Sequence, residues 1–369
     1  MKLPFIEPNP DKDWFRRVIL GEEIPERPPL IELFLDQEVL EDIAVNYLGL
    51  EWVPYQQENK ELRAKYWDNY MKVYYNLGYD FVWIDGRIPF PTKTRRTEDT
   101  AENSRGIRSW DEEGEGPISS WEDFHEYPWP KEEDLDLWDC EYVSSHLPEG
   151  MGFFVFPCRG FMEVPTEILL GYENLCILLY DEPEVVEAVF QRVGEIEMRF
   201  YEKVLHLPNL MGFFPGDDMG FNTQTLISPD ALRQLVLPWH KKAAKLAHDN
   251  GLLYLLHSCG QLSAIMEDLI DDVKIDGKHS FQDSIFSIAD FKKNYGNRVA
   301  AFGGVDIDKI ARMEQEELRK YVRQVISQCL PMGRFALGTG NSVANYIPTE
   351  NYLAMVEEGL TWGRGKTNV

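Results

Sequence analysis

The chain has 369 residues, of which 44% are hydrophobic and 13% aromatic, so it can bury a large core. It carries 37 lysines and arginines against 63 aspartates and glutamates, which gives a formal charge of −26. So acidic a chain does not offer the basic surface that binding to DNA, RNA or an anionic membrane requires, and we expect neither kind of partner.

The cysteines and the N-terminus indicate the compartment. The five cysteines show no CxxC spacing, and the first residues contain no apolar signal core. No apolar run approaches the roughly 20 residues of a membrane-spanning helix. The pattern is typical of a protein of the reducing cytoplasm, so we expect cytoplasmic localisation.

The N-terminal part of the chain predicts an extension followed by helices and strands. Residues 1–30 are rich in proline and are expected to wrap around the outside of the body. The next predicted elements are a short strand at Leu30–Leu35, helices at Gln37–Leu48 and Glu61–Leu77, and a strand at Tyr79–Ile84. Asp85 and Arg87 follow this last strand at once, so two charged side chains lie at its carboxyl end.

Residues 93–138 interrupt the alternation of helices and strands. They are rich in charged residues, glycine, proline and tryptophan. A long segment with little periodicity is typical of a functional lid or a mobile excursion, so we predict an inserted loop region. Its tryptophans either form a roof over an apolar substrate or, as the favoured interpretation, only anchor the segment; they are Trp110, Trp121, Trp129 and Trp138.

Regular alternation resumes after Gly150. The predicted strands are Met151–Phe156, Leu210–Phe214, Leu252–Leu256, Lys274–Ile275 with its continuation, Val299–Phe302 and Phe335–Leu337. The predicted helices are Glu184–Leu205, Pro229–Asn250, Glu314–Cys329 and Thr349–Trp362. Together with the early strands, the pattern approaches eight β/α units and predicts an α/β fold, a single (β/α)8 TIM-type barrel domain over residues 1–369. The sequence has no glycine-rich dinucleotide fingerprint and no P-loop, which disfavours a doubly wound sheet.

The stretch Gly251–Gly260, which reads GLLYLLHSCG, carries the strongest chemical signal. Its apolar run predicts a buried parallel strand, and His257 and Cys259 follow where that strand should end. Residues two apart on a strand point the same way, and zinc favours nitrogen and sulfur ligands. The pair is therefore a candidate half of a zinc site. The alternative is a buried cysteine beside a hydrogen-bonded histidine.

Other polar residues follow the remaining predicted strands. In a barrel of this type the chemistry lies at the carboxyl ends of the strands. The residues expected there are Cys158, Arg159, Glu163, Asp217, Asp218, His279, Gln282, Asp306, Asn341 and Ser342. Their convergence on one mouth of the barrel predicts a functional site.

Several motifs resemble the uroporphyrinogen decarboxylase superfamily, and particularly its corrinoid-dependent methyltransferase branch. In the C-terminal half they are PGDDMGFNTQTLISPDALRQLVLPWHKK, HDNGLLYLLHSCGQL, AFGGVD and LGTGNSVANYIPTENYLAMVEEG, and YDFVWIDGR is similar in the first half. The resemblance implies a barrel fold and a zinc-dependent methyltransferase that acts with a corrinoid (cobalamin) carried by a partner protein. It also implies that His257 and Cys259 bind Zn²⁺.

The resemblance distinguishes two branches of the superfamily. Asp85 lies where the decarboxylases carry the aspartate that binds pyrrole NH groups. Residues 16–35 do not carry the arginine-rich motif expected of those decarboxylases, however. The His-x-Cys pair is instead similar to the zinc-binding pair of the methyltransferases, so we favour that branch.

One feature departs from the methyltransferase pattern. Several members carry a third cysteine ligand after the last strand, whereas residues 338–342 of this chain read GTGNS. Either Asn341 is a weak oxygen ligand, or another group completes the site. Our first choice is Glu163 and our second is Asp218, with Asp217, Cys158 and His279 also chemically able to bind.

These observations lead to a hypothesis of O-demethylation. An oxygen-richer zinc site suits a leaving alkoxide or phenolate, so the methyl donor is expected to be a small methoxylated compound, with methoxylated aromatics included. Asp85 or Asp217 would orient a ring hydroxyl or relay a proton. Arg87, Asn341 and Ser342 are the expected substrate contacts.

Each of these residues also has a purely structural interpretation. The two adjacent aspartates can cap a helix, Glu163 can be a solvated loop acid, and Asn341 with Ser342 can simply shape a turn. For the whole protein, the alternatives are a metal-independent decarboxylase that uses Asp85 and a non-catalytic barrel that binds a ligand or the corrinoid protein. The oligomeric state is open, with a homodimer as one option.

Overall fold

Parallel strands form the centre of the molecule. A computed structural model describes residues 2–92, 94–98, 107–111 and 116–363. The strands are β1 Phe81–Asp85, β2 Thr94–Glu98, β3 Ile107–Asp111, β4 Gly152–Phe156, β5 Leu210–Phe213, β6 Leu253–His257, β7 Gly277–His279, β8 Ala300–Val305 and β9 Phe335–Thr339. Within these residues, seven strands form one parallel sheet in the order β1-β4-β5-β6-β7-β8-β9, and β2 and β3 form an antiparallel hairpin.

Helices lie between successive strands of the sheet. They are α1 Lys12–Ile19, α2 Gln37–Asp42, α3 Lys60–Leu77, α4 Trp121–Glu126, α5 Trp138–His146, α6 Tyr172–Asp181, α7 Pro183–Val204, α8 Pro229–Leu235, α9 Leu237–Asp249, α10 Ile288–Tyr295, α11 Ile307–Arg312, α12 Gln315–Cys329 and α13 Thr349–Thr361. Short π-helical or 3₁₀ turns occupy Ile43–Tyr47, Glu132–Asp134, Val164–Leu169, Asp268–Val273 and Leu330–Met332. Among the described helices, none is long and apolar enough to cross a membrane.

The predicted strand at Leu30–Leu35 lies in the eighth position, beside β9. Its Ile31 N–H donates to the Leu337 carbonyl at 2.9 Å, and the Leu337 N–H donates to the Pro29 carbonyl at 2.9 Å. The segment pairs only through isolated bridges and does not form a full ladder. The α/β barrel prediction is therefore confirmed, with a curled seven-stranded sheet and a short eighth segment.

Alternating strand residues fill the inside of the curled sheet. The interior cluster takes side chains from β1, β4, β5, β6, β8, β9 and the Leu30–Leu35 segment; they include Phe81, Trp83, Phe154, Phe156, Phe214, Leu255, Phe302, Ile31 and Leu33. This two-residue period is what side chains on opposite faces of a strand require. Phe15 and Ile19 of α1 join the same cluster, so part of the predicted outer wrap 1–30 packs into the barrel interior.

Most element boundaries follow the sequence pattern, with two exceptions. The strand predicted from Lys274–Ile275 onward begins only at Gly277, and the predicted helix Pro229–Asn250 is divided into α8 and α9. The predicted helix Glu61–Leu77 is α3, where the Asn59 side chain accepts hydrogen bonds from the first turn and Gly78 ends the helix at φ +83°. The predicted strand Leu252–Leu256 corresponds to β6, which lies one residue later and ends at His257. The imidazole of His257 is therefore fixed by the sheet itself and not by a loop.

The excursion at 93–138 contains more regular structure than its sequence predicts, namely the β2–β3 hairpin and α4, and α5 begins at its last residue. The side chain of Trp110 lies outside the described residues. Trp129 and Trp138 are partly buried and pack against the main hydrophobic core. This packing fits the anchoring interpretation of the tryptophans.

The eighth segment makes a testable contribution to stability. Ile31 is fully buried in the barrel interior, whereas Ile24, seven residues earlier, is 65% exposed. We expect Ile31→Ala to lower the free energy of unfolding by about 2–5 kcal/mol, because it leaves a cavity among apolar neighbours. Urea denaturation followed by circular dichroism measures the change. The matched control Ile24→Ala should stay within about 0.5 kcal/mol of wild type, and equal losses for both variants would contradict the placement of this segment.

Candidate metal centre

Three potential metal ligands converge at the carboxyl end of β6. Each of Asp218, His257 and Cys259 offers one ligand atom, and these atoms lie within 4.8 Å of one another. Cys259 Sγ is 3.4 Å and Asp218 Oδ1 is 3.6 Å from His257 Nε2. Ligands held tetrahedrally by zinc at about 2.0–2.3 Å are separated by roughly 3.3–3.6 Å, so this donor set fits a zinc ion.

His257 is held from behind by a second histidine. The Nδ1 atoms of His257 and His279 are 2.7 Å apart, and His279 Nε2 is 2.9 Å from the Thr339 carbonyl oxygen. Burial lowers the pKa of His257 to about 3 and lowers that of His279 well below its usual value. His279 was one of the candidate ligands, but both of its nitrogens face other partners, and it lies behind His257.

The sulfur of Cys259 lies among hydrogen-bond donors. Ser280 Oγ and Asn341 Nδ2 each donate to Sγ at 3.4 Å. Burial, followed by the charge of Asp218, raises the pKa of the thiol to about 12. A metal ion would have to displace the thiol proton on binding, and the two donors would then stabilise the thiolate.

Asp218 and Glu163 lie side by side. Asp218 Oδ1 accepts the backbone N–H of Cys259 at 2.7 Å, and Glu163 Oε1 accepts the backbone N–H of Asp218 at 3.1 Å. Asp218 therefore lies with His257 and Cys259 as the third potential ligand. Glu163 is a neighbour of Asp218 and is not part of this group of three. Burial and the charge of Asp218 raise the pKa of Glu163 to about 8.

Asp217 points away from its neighbour, into the protein. It is fully buried, and its carboxylate accepts the backbone N–H groups of Met162 and Glu163 at 2.9–3.1 Å. His240 Nε2 lies 2.7 Å from Asp217 Oδ2, and His240 Nδ1 lies 2.7 Å from the Tyr254 hydroxyl. This network holds the loop that carries Glu163 against the loop that carries Asp218.

An open cavity of about 480 Å³ adjoins the candidate metal centre. Its lining combines aromatic and polar residues; they are Leu33, Phe34, Trp83, Asp85, Phe156, Cys158, Arg159, Glu163, Gly216, His257, Asn341 and Ser342. The rings of Trp83 and Phe156 stack with centroids 4.5 Å apart. Asn341 keeps its amide oxygen within its own loop, where it accepts the Ser342 N–H at 2.8 Å. A small molecule with an apolar body fits such a cavity.

Asp85 lines this cavity, whereas Arg87 lines an adjoining one. Burial raises the pKa of Asp85 to about 6, although the charge of Arg87 acts in the opposite direction. Asp85 Oδ1 accepts the Arg87 backbone N–H at 2.8 Å. The Arg87 guanidinium lies over the Tyr55 ring, 3.5 Å from its centroid, and borders a smaller adjoining cavity of about 210 Å³.

Sequence reasoning gave no role to several residues that surround the centre. Ser280 and Glu32 are buried polar residues, and His240 lies on the helix α9. Lys278 is also buried, donates to the Ser258 carbonyl at 3.3 Å, and has a pKa lowered by burial to about 8. Of these residues, only Lys278 has a recognisable sequence signal, because it is a charged residue on a buried strand. It lies two residues before Ser280, whose hydroxyl contacts the sulfur of Cys259.

Known proteins share the family and the fold. Residues 156–361, more than half of the chain, match the family model described as Uroporphyrinogen decarboxylase (URO-D). No curated protein sequence matches the chain significantly.

Solved structures extend the comparison to almost the whole chain. A methyltransferase from Methanosarcina mazei has a TM-score of 0.67 at 15% identity, covering 95% of this chain and 98% of that one. A B12-independent methionine synthase from Shewanella sp. W3-18-1, in complex with selenomethionine, has a TM-score of 0.53 at 11% identity, covering 92% and 96%. At these identities the likeness concerns the fold.

The buried acid Glu32 gives a pH prediction. Burial raises the pKa of its carboxyl to about 8, so the native state holds a proton that the unfolded chain releases at lower pH. The stability that this proton contributes is present at acid pH and is lost as the pH rises through about 8. We expect Glu32→Gln, which mimics the protonated acid, to flatten the pH dependence of urea unfolding by up to about 1.4 kcal/mol per pH unit.

The control for this experiment is Glu22→Gln, which removes an exposed carboxylate and should leave the pH slope of stability unchanged. Equal slopes in wild type and Glu32→Gln would show that the carboxyl of Glu32 is already ionised at neutral pH.

Proposed function

The chain belongs to the uroporphyrinogen decarboxylase family, and on that premise we propose that it is a zinc-dependent methyltransferase. It moves a methyl group between a methoxylated compound, aromatic ones included, and the cobalt of a corrinoid protein. The observation that carries the proposal is the convergence of Asp218, His257 and Cys259 within 4.8 Å beside an aromatic-walled cavity. Of the two solved structures described above, one is a methyltransferase and the other a methionine synthase, which supports methyl transfer as the chemistry.

The three ligands would hold zinc through one carboxylate oxygen, one imidazole nitrogen and one thiolate. A zinc ion held by only three protein residues would remain accessible to the substrate, as in catalytic zinc sites. Bound there, it would supply a Lewis acid that stabilises negative charge on the leaving oxygen. Asp218 takes the third-ligand role for which Glu163 was our first choice, because its carboxylate is the one near both His257 and Cys259.

The chain's own residues bind and orient the methyl donor. Trp83, Phe156 and Phe34 offer ring faces on which a methoxylated aromatic ring would stack and exclude water. Asp85, at the edge of the same cavity, would orient a neighbouring hydroxyl or relay a proton. Ser342 also lines the cavity, where the substrate would contact it.

The corrinoid protein must approach the mouth of the barrel. The cavity is lined by the carboxyl ends of β1, β4, β6 and the loop after β9, and the methyl carbon would lie there. In the demethylation direction, the electron pair of Co(I) would form the new bond to the methyl carbon, which oxidises the cobalt to Co(III). The electron pair of the broken carbon–oxygen bond would leave with the oxygen, which takes up one proton. A partner with its cofactor at its surface can deliver cobalt to this position.

Decarboxylation is the second candidate reaction. Asp85 lines the cavity, and its pKa of about 6 keeps part of the carboxyl population protonated near neutral pH. That chemistry would not need a metal ion. A measurement of zinc binding therefore distinguishes decarboxylation from methyl transfer.

Replacing either His257 or Cys259 should abolish zinc binding. We expect wild-type protein purified without chelator to contain one zinc per chain, and His257→Ala and Cys259→Ser to contain almost none, because each loses a ligand atom of the centre. Inductively coupled plasma mass spectrometry measures the zinc. Cys176→Ser, which changes a cysteine on α6, should retain the wild-type content. A wild type that binds no zinc would refute the proposed function.

The third ligand can be tested by comparing two neighbouring acids. We expect Asp218→Asn to weaken zinc binding by more than about 100-fold, beyond the range for groups that only support a ligand. Glu163→Gln should weaken it by at most about 10-fold, because Glu163 acts on Asp218 through the backbone N–H. Competition with a chromophoric chelator measures both affinities. The reverse order would assign the ligand to Glu163.

Methyl transfer itself can be followed at the corrinoid. Mixing the zinc-loaded protein with methoxylated compounds and a reduced corrinoid protein should change the cobalt absorption spectrum, and Cys259→Ser should not. Zinc binding without any spectral change for any donor would favour the non-catalytic barrel that binds a ligand or the corrinoid partner.

A further inference from the structure

A continuous series of buried hydrogen bonds connects the candidate metal ligand with the N-terminal segment. His257 Nδ1 lies 2.7 Å from His279 Nδ1, and His279 Nε2 lies 2.9 Å from the Thr339 carbonyl. The Thr339 backbone N–H donates to Glu32 Oε1 at 2.9 Å, and its hydroxyl lies 2.6 Å from Glu32 Oε2. All of these side chains are buried, and Glu32 is fully so.

We propose that His279 is a positioning residue that fixes the tautomer and the ring orientation of His257, and that Glu32 supports it through Thr339. The inference rests on the proposed zinc site. It adds to that site two residues that would not contact the metal.

The direction of the hydrogen bonds follows from the acceptor at one end. A carbonyl oxygen only accepts, so His279 Nε2 must carry the hydrogen that it donates to Thr339. A buried imidazole is neutral and has one N–H, which leaves His279 Nδ1 as an acceptor. His257 must then donate from Nδ1. Its Nε2 carries the lone pair and faces Cys259 and Asp218, as metal binding requires.

We call the hydrogen-bonded series from His257 through His279 and Thr339 to Glu32 the relay. The backbone at Gly303 packs closely against it. Gly303 has φ +92°, and a Cβ atom there would lie 2.2 Å from the Thr339 carbonyl oxygen and 3.0 Å from His279 Nε2. A side chain at this position would therefore occupy the place of the hydrogen bond. The first glycine of the FGGVD motif is explained by this close approach.

Glu32 fixes the acceptor end of the relay. Its carboxyl engages both the N–H and the hydroxyl of Thr339, which holds this residue in place. The next peptide, which presents the Thr339 carbonyl to His279, is held by the Gly340 N–H, which donates to the Val305 carbonyl at 2.7 Å. Glu32 comes from the eighth segment of the barrel, which pairs with β9. The N-terminal segment thus contributes to the metal centre at a distance of three hydrogen-bonded steps.

The test compares variants of His279 by their affinity for zinc alone, measured by chelator competition. His279→Phe keeps the ring volume and removes both hydrogen bonds, so we expect zinc binding to weaken by about 10–100-fold. His279→Asn places an amide oxygen near the former Nδ1 position and should restore most of the loss. Asn351→Leu, which removes two buried hydrogen bonds on α13 at 2.8 and 3.1 Å, should leave the affinity unchanged.

A spectroscopic measurement keeps the inference testable if a variant does not fold. Nitrogen-15 NMR of wild-type protein should show His257 protonated at Nδ1 and unprotonated at Nε2 before zinc is added. The opposite tautomer, or an unchanged affinity in folded His279→Phe, would overturn the positioning role. A wild type that binds no zinc would instead overturn the proposed function, so the two failures are distinguishable.

Discussion

The pairing of β6 with β7 is the constraint on which the site depends. In this parallel register His257 lies directly opposite His279, and the two imidazole rings have centroids 4.9 Å apart. A shift of one residue would turn His257 to the other face of the sheet, away from both Cys259 and the cavity. The chemistry of the mouth is therefore set by the same backbone hydrogen bonds that close the barrel wall.

The charges of the mouth also require compensation. Burial raises the pKa values of Glu163, Asp218 and Cys259, which means that the metal-free site disfavours negative charge on each of them. A divalent cation would oppose this effect, because its charge favours the ionised carboxylate and thiolate. Lys278, buried nearby, adds a positive charge that acts on Asp218 and Cys259 in the same direction. The arrangement suits a dication better than an empty pocket.

The sequence was sufficient for the fold and for bringing together two of the three residues of the candidate metal centre, because both depend on local periodicity. The period of two in GLLYLLHSCG places His257 and Cys259 on one side, and the alternation of elements gives the barrel. The third ligand was less accessible. Glu163 and Asp218 belong to loops distant along the chain, and only their packing places Asp218 nearer to the sulfur. Glu32 carried no signal, because its contact with Thr339 spans 307 residues.

The two adjacent aspartates show why residue type alone does not assign a role. Asp217 and Asp218 follow the same strand, yet their carboxylates have different partners. Asp217 turns into the protein, where backbone N–H groups and His240 satisfy it, and Asp218 turns toward His257 and Cys259. The fully buried Asp217 holds the loops together, and this fixes the position of the half-buried Asp218. Asp217 thus has a structural role and Asp218 the proposed chemical one, and the position of Asp218 depends on the contacts of Asp217.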